Sequence, residues 1–341
     1  MQPLIEQLEN RLFMDTTITS GGTYSGALGK VTVNTTAAVT IANATLTGVG
    51  NLLTVNSVAS LTVRDSVFTG QAGAAGSRRG RAISFATGYL TFTAKRVQFI
   101  NTAGVDAYNP RSGSTLSFTH NTFRNVIGQR AGRTGNSDTG TSPDLDLVQA
   151  IQLNGSTNLS ADIGWNEIVN EKGKSRVEDN VSVWNSSGTA AKPIWIHDNY
   201  ITGAYPWQYA ANVEFSGGGI IVDGQTPAYV LIENNTVRNT QNYAVAIAGG
   251  SNVTVRNNNL LCDELLSFTN VLLYTRNYYT GPFTGNVVTG NRLKSINNNL
   301  TWNLSTSGVT ASNNTSFTGP GWQLLPDATA MAERDILAWA A

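Results

Sequence analysis

Acidic residues stand shortly before or within three apolar segments in the middle of this chain: Asp144 and Asp146 before the first, Glu178 and Asp179 before the second, and Glu214 and Asp223 before and within the third. Two carboxyl groups held about 5–5.5 Å apart, or about 6.5–9.5 Å apart, cleave glycosidic bonds with retention or inversion. Crowding such groups raises one pKa, the condition a general acid needs. Asp146, Glu178 and Glu214 are the candidate acids. The densest charge in the chain, from Asn170 to Asn180, also offers Lys172, Lys174 and Arg176. Elimination from a uronic-acid polymer needs a cation against the substrate carboxylate and a base for the adjacent proton, roles open to Lys174 and Arg176. Calcium, a hard cation that takes oxygen ligands, would serve the same end at Asp144, Asp179 or their acidic neighbours. Tyr205, Trp207 and Tyr209, and further on Tyr274 and Arg276, are candidate substrate contacts together with Asp223, because flat rings pack against sugar faces. The plain alternative is that the acids are loop charges paired with Lys172, Lys174, Arg176 or Arg133, and that the aromatics pack the loops onto the body.

These residues are far apart in the chain, so any joint chemistry needs a scaffold that brings distant segments side by side. A repeat supplies one. A short alternating apolar segment recurs ten times, as in LTVRDSVF from Leu61, LSFTHNTF from Leu116, IWIHDNYI from Ile194, VLIENNTV from Val230 and VTVRNNNL from Val253. Alternation with period two and enrichment in Val, Ile and Thr mark strands. The sixth position is Asn121, Asn166, Asn199, Asn235, Asn258, Asn291 and Asn314 in seven copies. Such a unit cannot bury its apolar face alone, so copies must stack. The shortest step between copies, from Val39 to Leu61, suits a coil of three strands and three bends. Ten coils at a strand spacing of about 4.8 Å would make a rod of roughly 50 Å. In such a stack each asparagine lies over the next, and its amide can build a hydrogen-bonded ladder. His120 and Asp198, one place earlier, read as turn residues.

The pattern resembles the right-handed parallel β-helix proteins of the pectate-lyase-like superfamily, whose repeats take the form xIxIxxNxI, over about residues 30 to 318. That resemblance implies an all-β, right-handed parallel β-helix solenoid of about ten coils. Beyond the fold the likeness to particular enzymes ends. The paired Asp-Asp and Gly-His-Gly of polygalacturonase-like hydrolases, the Asp-Pro-His-Asp of alginate epimerases and the Arg-x-Pro-x-x-Arg of pectate lyases are all missing. Trp195-Ile196-His197-Asp198 is similar to the Trp-Ile-Asp-His of the last group with its final pair transposed, and it falls inside the ordinary repeat.

Both ends of a stacked sheet expose unpaired edges that need covers. Leu4, Ile5, Leu8 and Leu12 share one helical face, and a second apolar stretch follows Asp327, a potential N-cap. Residues 1–20 and 321–341 are therefore expected to be cap segments with short helices, flanking a β-helix domain over 21–320. Leu8-Glu9-Asn10-Arg11-Leu12-Phe13 also resembles, in degenerate form, the LEPR-x-L-L leader of exported planctomycete-type proteins. That likeness implies a secreted or cell-surface bacterial protein. With 22 basic and 22 acidic residues the net charge is zero, so no global field draws nucleic acid or an anionic membrane. A single cysteine excludes an intrachain disulfide, and two histidines distant in sequence exclude a Cys/His metal cluster. No apolar run reaches the length of a membrane-spanning helix.

Enlarged intervals after Asn121, Asn166 and Asn199 are consecutive, so their loops should rise together on one flank. The expectation is an exported carbohydrate-active enzyme that cleaves a polysaccharide held lengthwise between them. Hydrolysis is preferred to elimination because candidate acids outnumber organised bases; no cofactor is required, and calcium is the one ion considered. The competing expectation is a non-catalytic glycan-binding or adhesive surface β-helix. Close, unpaired carboxylates favour the first, and carboxylates neutralised by arginines favour the second.

Overall fold

Every pairing between the described strands is parallel and joins segments from successive repeats, in a computed structural model of the protein. The structure describes residues 14–108, 110–135, 144–207, 217–262, 271–295, 302–305 and 307–317. Each complete turn of the chain contributes strands to three faces. The first face is an eleven-stranded sheet running from Thr16–Ile18 to Trp302–Leu304. The other two faces begin as the long bent strands Val39–Val49, Ser60–Gln71 and Thr91–Ile100 and then separate into two ladders. One ladder continues through Thr115–Thr119, Ser160–Gly164, Ile194–His197 and Ala228–Glu233. The other runs through Thr122–Arg124, Glu167–Val169, Tyr200–Ala204 and Thr236–Thr240. Because the bent strands join them, the two ladders form one continuous sheet, yet each strand pairs only with the coils next to it. The molecule is a three-faced parallel β-solenoid. The segments expected to form cap helices lie outside the described residues, apart from the start of the first strand, and no helix long and apolar enough to cross a membrane occurs among the described residues.

Alternation in sequence becomes stacking in space. On the first face Val31, Leu53, Ile83, Val105, Ile151, Val181, Ile220, Val245 and Leu273 sit one above another. All are buried, and similar columns line the inner side of the other two faces. Toward the N-terminal half the columns widen into aromatics, with Phe99 stacked on Phe123 at 4.7 Å and on Phe118 at 5.8 Å. Shared register makes one core out of segments that could not bury themselves singly.

The corner between the second and third faces explains the repeated asparagine. Position five takes a left-handed backbone in nearly every coil: Asn43, Asp65, Arg96, His120, Trp165, Asp198, Asn234, Asn257 and Asn313 all have φ between 51° and 58°. Asn and Asp tolerate this conformation, whereas Arg96, His120 and Trp165 are less usual there. Position six then turns its amide into the stack. The Oδ1 of Asn235 accepts the backbone N–H and the Nδ2 of Asn199, at 3.0 and 2.9 Å. Its own Nδ2 donates to the Ile196 carbonyl and to Asn258 Oδ1. The same bonds recur from Asn121 to Asn314. In the early coils Ser66 takes the place, its hydroxyl accepting the Ala44 N–H at 3.1 Å.

Asn235→Ala deletes the donor and acceptor of a fully buried rung and leaves its neighbours unsatisfied, each such loss costing about 1–3 kcal/mol. Chemical denaturation should show a loss of about 3–5 kcal/mol for this variant. The half-buried terminal rung Asn314→Ala should lose no more than about 1 kcal/mol, and equal losses at the two sites would contradict a ladder whose strength comes from burial.

Candidate functional site

The enlarged intervals all return to the first face. Their roots immediately precede the neighbouring strands Gln149–Asn154, Asp179–Trp184 and Gly218–Asp223. Parts of the first two excursions knit together. Ile127 bridges to Arg176, the Gly128 N–H donates to the Arg176 carbonyl at 2.6 Å, and Gln129 bridges back to Leu145. The chain there forms a wall along one edge of the first sheet.

Arginines hold this wall. Asp146 accepts from Nη2 and Nε of Arg130, at 2.9 and 3.2 Å, and lies 3.1 Å from Arg78 Nε. Asp144 lies 4.0 Å from Arg133. Glu178 is 3.5 Å from Arg176, whose side chain is wholly buried. Burial pulls the Arg176 guanidinium down to about 10 against the opposing pull of Glu178, so it remains a cation at neutral pH. Lys174 pairs with Glu171 at 2.6 Å on the exposed loop, and Lys172 sits 5.4 Å over the ring of Tyr205. Tyr205 itself packs into the core, while Trp207 is half-buried. Tyr209 and Glu214 lie outside the described residues.

Beside the wall, the outward side of the first sheet carries groups in strict register. Asp106, Gln152, Ser182, Ile221, Ala246 and Tyr274 form one row. Tyr108, Asn154, Trp184 and Asp223 form the next. The Tyr108 hydroxyl bonds Gln152, and Trp184 meets Tyr279 edge to face at 6.0 Å. Arg276 lies 4.9 Å from the ring of Tyr278, which in turn contacts Tyr274. An apolar cluster of Ile221, Tyr243, Ala246 and Ala248 on this outer side is buried, with Tyr274 against it.

Asp179 is the most perturbed acid of this surface. It shares a row with Gly218 and Tyr243, and the missing side chain at Gly218 lets the Tyr243 ring cross to it; a Cβ there would meet the ring at 2.2 Å. The Tyr243 hydroxyl donates to Asp179. Burial, the negative charge of Glu178 and a smaller contribution from Asp223 raise the Asp179 carboxyl well above its ordinary value, although the tyrosine bond works the other way. Asp223 is raised as well, by burial, while its bonds from Tyr279 and the Gly224 N–H oppose the rise. Burial also raises the phenols of Tyr243 and Tyr274. The arrangement is a desolvated carboxyl with a raised pKa, bonded by the Tyr243 hydroxyl, on a surface that carries polar and aromatic groups. It can donate and accept hydrogen bonds. Among the described residues no group of three or more His, Cys, Asp or Glu side chains is placed to hold a metal ion.

The structure thus brings Asp179, Asp223, Tyr274 and Arg276 to one face and ties Asp146, Lys174 and Arg176 into the wall. Sequence reading missed Tyr243 and Trp184. A signal existed, since Asp179, Gly218 and Tyr243 each stand two residues before an inward residue (Val181, Ile220 and Val245). Aligning those strands, rather than the asparagine-bearing ones, sets the three in one row. Comparison of the chain with known protein families, curated proteins and solved structures finds no match.

A carboxyl whose folded pKa exceeds its unfolded value near 3.8 favours folding fully only below that value and loses the contribution as pH rises. Asp179→Asn, which keeps an acceptor for Tyr243, should therefore raise the melting temperature near neutral pH. The gain should vanish at about pH 3.5. A difference between variant and parent that is constant with pH would mean that Asp179 ionises alike in both states.

Proposed function

We propose that this β-solenoid is a non-catalytic glycan-binding protein that holds a polysaccharide lengthwise on the outer side of its first sheet. The observation that carries this reading is the row Tyr108, Asn154, Trp184 and Asp223, which repeats a hydrogen-bonding or aromatic group on four successive coils. Coils stack at about 4.8 Å, a step comparable with one sugar ring in an extended chain. Neutralisation of Asp146 by two arginines, and the pairing of Glu178 with Arg176, favour binding over catalysis by these acids. A right-handed coil, kinship with the pectate-lyase-like superfamily and a secreted or cell-surface bacterial setting belong to the same proposal. The parallel three-faced stack and the repeat support the kinship, and the leader-like likeness of Leu8-Glu9-Asn10-Arg11-Leu12-Phe13 is what supports the setting.

One observation favours hydrolysis as a second reading. Asp179 has the raised pKa of a general acid, and Asp223 lies close enough to act on it electrostatically.

Affinity electrophoresis on a panel of neutral and uronate polysaccharides tests both. The protein should be retarded by at least one polymer, and Trp184→Ala should weaken that retention by about tenfold, equivalent to ~1.4 kcal/mol. Incubation with the same polymer should release neither reducing ends nor unsaturated uronate. Reducing ends that disappear in Asp179→Asn would establish the hydrolase instead, and indifference to every polymer would remove both readings.

A further inference from the structure

The second face carries a separate built depression. Thr93, Ser117, Asp162, Trp195 and Leu231 form its outward row on five successive coils. Around the middle of that row lies a cavity of about 390 Å³, lined among others by Ser117, Asp162, Lys192, Pro193, Trp195 and Glu233.

Trp195 is held there by more than packing. Its Nε1 donates to Glu233 Oε1 at 2.7 Å, and the other Glu233 oxygen accepts Arg256 at 2.6 Å. His197 stacks on the indole with ring centroids 3.6 Å apart, and Trp165 meets the imidazole edge-on at 4.5 Å. The His197 ring is fully buried above Gly164, where any Cβ would approach it to 2.4 Å. Its Nδ1 lies 2.8 Å from Asp198 and its Nε2 2.8 Å from Asp162. Burial draws the imidazole pKa down, but the two carboxylates outweigh burial and lift it to about 9, so both ring nitrogens carry protons at neutral pH.

None of this is required to stack coils. Other coils fill the row with Thr93, Ser117, Asp162 and Leu231. An indole locked by Glu233 and backed by an imidazolium is instead a pre-oriented aromatic platform, the arrangement that lowers the ordering cost of binding. Beside it Asp162 gives Oδ1 to His197 while its side chain stays 42% exposed, and the hydroxyl of Ser117 stands one coil away. The local charges balance: His197, Arg256 and Lys192 are positive, and Asp162, Asp198 and Glu233 negative. A uronate or phosphate would find no net attraction. A neutral pyranose presents an apolar ring face to the indole and hydroxyls to Asp162 and Ser117.

We propose that this depression is a second saccharide-binding site, distinct from the first sheet, which takes a neutral sugar unit with its ring against Trp195. The site does not depend on the first-sheet reading. Isothermal titration of the full chain with cellohexaose, N-acetylchitohexaose, laminarihexaose and mannohexaose tests it in a Trp184→Ala background, which weakens the first-sheet surface, so that the binding assigned to the second site is the part lost on substitution at Trp195 or Asp162. At least one neutral hexasaccharide should still bind. Adding Trp195→Ala should weaken that binding at least about tenfold, and adding Asp162→Asn should also weaken it should the first substitution prevent folding. A galacturonate hexamer should not compete. Absence of binding by all four sugars in the Trp184→Ala protein would overturn the site, as would binding unchanged by both added substitutions. Either result leaves the first-sheet proposal to be judged on the retention lost in Trp184→Ala alone.

Discussion

A single coil of this chain cannot keep its apolar side from water, and everything else follows from the register that solves the problem. Parallel stacking places like on like, so one amide per coil becomes a continuous ladder and one aliphatic side chain per coil becomes a core column. The ladder is demanding in a way that the columns are not. Hydrophobic residues of differing size, from Ala94 to Phe118, share a column because packing tolerates exchange of volume. A buried amide tolerates no such exchange, because each rung must satisfy the rungs on both sides. That asymmetry explains why the asparagine repeats more faithfully than the apolar residues around it.

Register also decides where a site can arise. Chain inserted at one corner cannot disturb the columns, so successive insertions accumulate there and touch one another. The bridge from Ile127 to Arg176 is such a contact between parts of the chain that share no local order. Charges gathered in these excursions meet their opposites at close range. Arg130 and Arg78 converge on Asp146, and buried Arg176 faces Glu178. Acids of this wall are thereby occupied in holding it. The acids whose pKa is raised lie on the sheet itself, Asp106, Asp179 and Asp223, where desolvation is the largest cause.

How much of this was legible follows from which interactions are periodic. The strands, the left-handed residues His120 and Asp198 and the asparagine ladder were readable because each coil repeats them. The flank on which the loops gather was readable too, since consecutive insertions in a stack must be neighbours. Pairing within the loops was not: Asp146 meets Arg130 and Arg78 through folding-back that no period encodes. Nor was the contact between Tyr243 and Asp179, which depends on an absent side chain at Gly218 on the coil between them. His197 was the opposite case. Its place in the repeat was plain, and that regularity hid its role, because a turn position accounts for Asp198 but not for the imidazole buried between Asp162 and Asp198.

A rod built this way offers any linear partner a property that a globular surface lacks. Contacts recur at the coil spacing along the axis, so a polymer whose own repeat is commensurate meets equivalent groups again and again, while one that is not falls out of phase within a few units. The two outward surfaces use that geometry differently. On the first sheet the groups extend over many coils, from Asp106 to Tyr274. On the second face the chemistry is concentrated at Trp195, with a charge network devoted to a single ring. Length of contact on one side and rigidity at a point on the other are separate routes to affinity, since many loose contacts and one pre-ordered contact lose different amounts of freedom on binding. That division follows from the fold: stacking repeats a surface without further cost in design, whereas a pre-oriented aromatic needs residues, such as Gly164 and Glu233, that depart from the repeat.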